Sequence, residues 1–292
     1  MDARQLRYFL AVVDHGTVHR AAAELFVAQP SISQALRALE RDLGTLLFHR
    51  AGRKLVLSPA GEALIDPARQ VMRWLDLARA SVDAAEGLEA GQLVVAAMPS
   101  QSVDPLTTLI AGFSARHPRV RISVRTAATP ADVTASLRTG DAELGLVAAR
   151  ERAGHGDLVS HPLETQRFIV VAPPDDALPA HTPLRFADLA GRRLVVGQPG
   201  TGMRRVADAV VAAAPGSYAA VETEHRAAIL PLVLAGVGVA VLSESWRQLA
   251  ATAGALVRDL DCDEALHVAL VHRSGPVSPA AAAFLAVANA LR

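Results

Sequence analysis

TVHRAAAELFVAQPSISQALRALERDLGTLLFHRAGRKLVLSPAGE, residues 17–62, holds the pattern on which the fold turns. Ala21, Ala22 and Leu25 lie on one side of a short helix, and Ile32, Leu36, Leu39 and Leu43 on one side of a longer one. Just upstream, Leu6, Phe9, Leu10 and Val13 form a third stripe. Three amphipathic helices with brief connections can close around one small core. Ala21 and Ala22 are small enough for two helices to cross closely, and Phe26, Val27 and Ala28 make the short turn into the next helix. After Gly44 the sequence changes to LLFHRAGRKLVLS, two short apolar segments flanking a basic turn, which predicts a β-hairpin with a positively charged tip.

With Ile32, Leu36 and Leu39 inward, Ser33, Gln34, Arg37 and Arg41 must point outward. Residues near the start of such a helix are those that reach base edges in a major groove. Gln29, Ser31, Ser33 and Gln34 are therefore assigned to base readout and first-turn positioning, since glutamine can pair with adenine through both its donor and its acceptor. Arg37, with Arg50, Arg53 and Lys54 around the hairpin tip, suits phosphate, where charge matters and sequence does not. Any one of these cations alone reads as ordinary basic surface; their grouping beside a helix-turn-helix favours DNA. Thr17 is placed to cap the second helix and touch a phosphate.

The formal net charge of the 292 residues is zero, so the whole chain gives no hint of a polyanionic partner. Residues 1–58 differ: Arg4, Arg7, Arg20, Arg37, Arg41, Arg50, Arg53 and Lys54 outnumber Asp2, Asp14, Glu24, Glu40 and Asp42, an excess whose sign suits nucleic acid. Cys262, the single cysteine, has no ligand neighbours at metal spacing and no disulfide partner, which fits a reducing cytoplasm. MDARQLRYFLAVVDHG lacks the layout of a secretory signal, so no export is expected. AILPLVLAGVGVAVL at 228–242 is too short and too broken by Pro231, Gly236 and Gly238 to span a bilayer, and reads as a buried helix feeding a buried strand.

From Pro59 to about Ala90 the composition predicts one long helix with Pro59 in its first turn and a kink at Pro67. Leu64, Ala68, Val71, Leu75, Ala78, Val82 and Ala85 alternate spacings of four and three, the period of a coiled-coil seam, so Leu64, Val71, Leu75 and Val82 are expected to pair with a second subunit. Beyond Gly91, LVVAAM, VRISV, ELGLVAA, RFIVVA, RLVVG, AVETE, VAVL and LHVALVH read as strands alternating with helices, which argues for parallel-rich α/β sheets. Small polar groups at the C-terminal ends of such strands make anion sites. Three places qualify: Ser100, Gln101 and Ser102; Thr126 and Thr129; and Gly197 through Gly202 with Thr201. Each could equally be an ordinary turn cap.

Five ordered submotifs, AA-x-x-L at 21–25, QPS-x-S at 29–33, LE-x-x-LG at 39–44, LF-x-R at 47–50 and GE at 61–62, closely resemble the LysR-type transcriptional regulators. The likeness covers residues 1 to about 62 nearly position by position. Val18, His19 and Gln34 depart from the common pattern, and so bear on the operator sequence. FSARHP-x-V at 113–120, LRTGDAELGLV at 137–147 and LVLAGVGVAVL at 232–242 extend it more loosely, with Ser243 where proline is frequent. The resemblance implies a winged helix-turn-helix over 1–58, a linker dimerisation helix over 59–90, and a two-lobed, periplasmic-binding-protein-like α/β effector domain over 91–292. Lobe I would take about 91–163 and 266–292, and lobe II about 164–265. It further implies that the three polar places face the cleft between lobes and there hold a small, anionic effector. The expected partners are double-stranded operator DNA, the effector, and copies of the chain as a homodimer or tetramer. Neither metal, cofactor nor membrane is expected.

An enzyme or a transport-type solute-binding protein on the same two-lobed fold are the rival readings. No G-x-S-x-G, H-E-x-x-H or C-x-x-C is present, and GQPGTG at 197–202 lacks the lysine of a phosphate-binding loop. The ten histidines are scattered, and His267 and His272 fall on opposite faces of one strand. The DNA-reading element and the missing leader weigh against transport.

Overall fold

The computed structural model describes residues 1–51, 54–85, 91–151 and 157–290. The chain divides near residue 87 into two compact units.

In the first, α1 (Ala3–His15), α2 (Val18–Glu24) and α3 (Gln29–Leu43) are followed by β1 (Phe48–Ala51), β2 (Lys54–Leu57) and α4 (Pro59–Ala85). Leu6, Phe9, Leu10, Val12, Ala21, Ala22, Ile32, Leu36, Leu39, Leu47 and Ala68 form its core. Each helix has a local reason to start or stop. Asp2 accepts from the Gln5 N–H while the Gln5 side chain accepts from the Asp2 N–H, a capping box. Gly16 and Gly44 end α1 and α3 in the left-handed region, at φ 73° and 70°. The hairpin β1–β2 is antiparallel. The helix α4 runs through Pro67 unbroken.

In the second unit, β3 (Gly91–Ala97), α5 (Pro99–Val103), α6 (Leu106–Arg116), β4 (Val120–Thr126), α7 (Pro130–Thr139), β5 (Leu144–Ala149) and β6 (Leu158–Gln166) build the first lobe. The chain then crosses into β7 (Phe168–Ala172), β8 (Arg193–Gly197), α8 (Gly202–Ala213), β9 (Tyr218–Thr223), α9 (Ile229–Leu234), β10 (Ala240–Ser243), α10 (Arg247–Thr252) and β11 (Leu256–Asp259). It returns through β12 (Leu266–Arg273) and ends in α11 (Pro279–Ala290). The first lobe holds a five-stranded sheet in the order β4-β3-β5-β12-β6, and the second holds β10-β7-β11 and β8-β9.

Two expectations need correction. The sheets are mixed rather than parallel-rich: β3 is parallel to β4 and β5, and β8 to β9, but β12 is antiparallel to β5 and β6, and β7 to β10 and β11. The returning strand β12 enters the first sheet against the direction of its neighbours, which the alternation of strand and helix does not reveal. Moreover β6 stays in the first lobe's sheet up to Gln166, past the boundary expected at 163. Strands β6 and β11 were not anticipated because β6 interrupts its run with polar residues and Pro162, and β11 has only Leu256 and Val257 before Arg258 and Asp259. Edge strands carry polar residues on their open side, and β6 contains Glu164 and Pro162. Among the described residues no helix is long and apolar enough to cross a membrane.

Candidate functional site

In the N-terminal unit, Ile32, Leu36 and Leu39 are buried while Gln29, Ser31, Gln34 and Arg37 are exposed and Ser33 is half-buried. Thr17 caps α2, its Oγ1 accepting from the Arg20 N–H at 3.1 Å. Arg37 Nε donates to the Ser33 carbonyl one turn back, at 3.2 Å, so the guanidinium lies along its own helix. Gln29, the first residue of α3, donates through Nε2 to His19 Nδ1 at 2.7 Å. Phe26, in the turn between α2 and α3, has φ +53° and is 95% exposed. Arg53 lies outside the described residues, as do the side chains of Arg50 and Lys54.

The submotif residues that do not face outward hold the scaffold. Glu40 Oε1 accepts from the Leu47 and Phe48 N–H groups at 2.9 and 3.4 Å, tying the end of α3 to the hairpin. Ser58 donates through Oγ to the Leu46 carbonyl at 2.6 Å and accepts from the Gly61 N–H at 3.0 Å. Gly61 sits so close to the Leu47 carbonyl that a Cβ there would lie 2.2 Å from its oxygen.

The expected coiled-coil seam on α4 divides in two. Leu64 and Ala68 pack into the N-terminal core, with Ile65 and Met72 beside them. Val71, Trp74, Leu75 and Val82 are exposed, Val82 by 67%.

In the second unit the proposed effector residues separate sharply. Ser100 is 2% exposed and lies on α5, just past the C-terminal end of β3. Its Oγ accepts from Arg226 Nη1 at 3.3 Å and from Trp246 Nε1 at 3.2 Å, and lies 3.7 Å from Met203 Sδ. Arg226, Trp246 and Met203 all belong to the second lobe, so one hydroxyl bridges the lobes. Two donors occupy the oxygen's acceptor sites, leaving the Ser100 proton to the thioether, a weak acceptor. Thr201 caps α8, accepting from the Arg204 N–H at 3.2 Å, and the first turn of α8 brings Gly202 and Met203 to this point. The first N–H groups of a helix have no partner within it and favour negative charge. Gly202 also leaves little room: a Cβ there would lie 3.0 Å from Leu266 Cδ2. Gly197 ends β8 and its carbonyl accepts from Arg204 Nη1 at 3.0 Å.

Gln101 and Ser102 point elsewhere. Gln101 is buried and donates to Gln166 Oε1 at 3.1 Å, bracing α5 against the crossover strand. Ser102 Oγ donates to the Met98 carbonyl at 3.1 Å. Thr129 bonds Asp132 through both its N–H and Oγ1, at 3.0 and 2.8 Å, as a turn cap does, and Thr126 is exposed at the end of β4.

Arg226 was not anticipated. It is 9% exposed, and among the described residues the only hydrogen bond of its guanidinium is to Ser100, with no carboxylate paired to it. Burial pushes its guanidinium below the usual value. A buried cation without a counter-ion is costly unless something supplies the missing charge. By contrast Arg205, on α8, grips Glu264 through Nε at 2.8 Å and Nη2 at 2.5 Å, and that guanidinium holds the Glu264 carboxyl below its ordinary range. Trp246 lies just beyond the C-terminal end of β10. A rule that looks for small polar groups at strand ends passes over an indole, and only the fold brings its N–H to Ser100.

Two family models cover almost the whole chain. Residues 3–62 match the bacterial regulatory helix-turn-helix protein of the lysR family, and residues 86–291 match the LysR substrate binding domain. The HTH-type transcriptional regulators TdfR and TfdS of Cupriavidus pinatubonensis are each 33% identical over 301 residues, covering 99% of this chain and 98% of theirs. A full-length OxyR substitution variant from Pseudomonas aeruginosa shares the fold with a TM-score of 0.72 at 24% identity, covering 100% of this chain and 95% of that one. Full-length CbnR in complex with its target DNA aligns with a TM-score of 0.66 at 22% identity over 100% of both chains. The chain belongs to the LysR family of bacterial transcriptional regulators. Its architecture is a helix-turn-helix DNA-binding domain followed by an α/β effector-binding domain, and its relatives are regulators rather than enzymes.

Proposed function

We propose that the chain recognises a specific operator through Gln29, Ser31, Ser33 and Gln34, anchored on phosphate by Thr17, Arg37, Arg50, Arg53 and Lys54, and that a small anion held at Ser100 and Arg226 alters that binding. The observation that carries the sensing half is the buried Arg226, which lacks a carboxylate and points at a hydroxyl whose own proton is poorly used. A carboxylate or other oxyanion would accept from Ser100 and from the N–H groups of Arg226, and the first turn of α8 would add favourable dipoles. Thr201 and Gly202 support the site through that turn. The roles of Gln101, Ser102 and Thr129 are bracing and capping. Thr126 and Gly197 remain candidates only by their strand-end positions.

Copies of the chain are expected to pair through Val71, Leu75 and Val82 on α4, with Leu64 serving the internal core instead; assembly of two such dimers into a tetramer and a cytoplasmic location follow from the family reading. Binding that favours one arrangement of the lobes would shift the population that engages DNA.

A thermal-shift screen of small carboxylates and phosphates against the full chain tests the sensing half. At least one anion should stabilise the wild type, Arg226→Met should abolish that gain, and Ser100→Ala should reduce affinity by ~1–2 kcal/mol. An anion that stabilises wild type and Arg226→Met equally would place the effector elsewhere.

A further inference from the structure

His19, on α2, is the residue that the first side chain of the recognition helix touches. We propose that His19 is a positioning residue that fixes which face Gln29 offers to DNA, so that α2 sets the base preference of α3. The inference rests on the assignment of Gln29 to base readout. His19 and Gln29 are both exposed, so packing does not orient either one. Their contact is the 2.7 Å bond from Gln29 Nε2 to His19 Nδ1.

The chemistry of that contact has one consistent assignment. An amide nitrogen only donates, so Nδ1 must hold a lone pair and the imidazole proton must sit on Nε2. One N–H of Gln29 is then spent on His19. What remains for DNA is the second N–H together with Oε1, one donor beside one acceptor. Adenine offers the complement in the major groove, N7 to accept and N6–H to donate, whereas guanine offers two acceptors, N7 and O6. Against guanine, Oε1 would face another acceptor. If His19 is removed, the amide is free to turn over and to present N–H groups to either purine. Adenine preference at that position is thus a property of the pair rather than of Gln29 alone. With the amide reversed, Oε1 would accept from an Nδ1–H and two N–H groups would point outward, which would favour guanine.

The full-length protein and its His19→Phe, His19→Gln and Gln29→Ala variants would each select duplexes from a randomised library. Wild type should enrich adenine at one position of each half-site, and Gln29→Ala should flatten that position. His19→Phe, which keeps a ring but removes the acceptor, should weaken adenine preference at the same position by about tenfold. Its affinity for non-specific duplex and its melting temperature should stay at the wild-type values. His19→Gln, which restores a side-chain acceptor, should recover the preference. An intact profile for His19→Phe beside a flattened one for Gln29→Ala would overturn the pairing while leaving the base-reading assignment standing. Guanine at that position would overturn the assigned orientation. An intact profile for Gln29→Ala would remove the base-reading assignment and the pairing together.

Discussion

Gly61 and Glu40 are ordinary residues in composition, yet each answers a demand that the hairpin makes on the helices around it. Glu40 supplies an acceptor for two N–H groups that no strand partner meets, and Gly61 admits the Leu47 carbonyl where any side chain would collide. Gly61→Ala must therefore displace either α4 or the hairpin, and should cost about 2–3 kcal/mol or more, as overpacking of a tight contact does. Chemical denaturation checks this, and a change below about 0.5 kcal/mol would mean that the contact yields freely. Residue roles were unevenly legible in the sequence. Ser100 could be found because it follows a clear strand, and Thr17 because caps have a small vocabulary. Arg226 could not, since a charge placed beside the apolar run at 228–242 reads as its solvated flank, and only the fold turns it inward. Gln101 shows the opposite case: its strand-end position suits a ligand site, while in the fold its buried amide is engaged by Gln166.

At the scale of elements, α4 carries two faces that a single period conceals. The spacing of four and three from Leu64 to Val82 is continuous, but Leu64 and Ala68 are spent on the N-terminal core. Val71, Trp74, Leu75 and Val82 remain as an apolar row facing solvent, which in a regulator is expected to be covered by the same row of a second copy. Leu75→Asp places a charge in that row and should shift the full chain to smaller species in sedimentation velocity without lowering the melting temperature of the N-terminal unit. Leu64→Asp should instead destabilise that unit. Unchanged assembly in Leu75→Asp would move the dimer contact off α4. The helices of the N-terminal unit were readable because each buries one stripe, whereas β6 and β11 were not. An edge strand pairs on one side alone and can be short or polar, so its periodicity fades.

The whole molecule joins a DNA-reading unit to a sensing unit built on mixed sheets, an organisation legible in the five submotifs and the later strand-helix alternation. What stayed hidden was the direction of β12 and the hydroxyl bridge at Ser100, both of which depend on contacts between residues far apart in sequence. Ser100 meets Arg226 and Trp246 across more than a hundred positions, and no local pattern encodes that meeting. Sequence-specific DNA binding by the assembled chain is the claim on which every other role depends. Its most direct measurement is selection of genomic fragments by the full-length protein at physiological salt, with Gln29→Ala run beside it. The account predicts enrichment of a small set of fragments sharing a two-fold symmetric site, lost or degenerate in the variant. Uniform retention of all fragments, falling away with salt and identical in the two proteins, would contradict it.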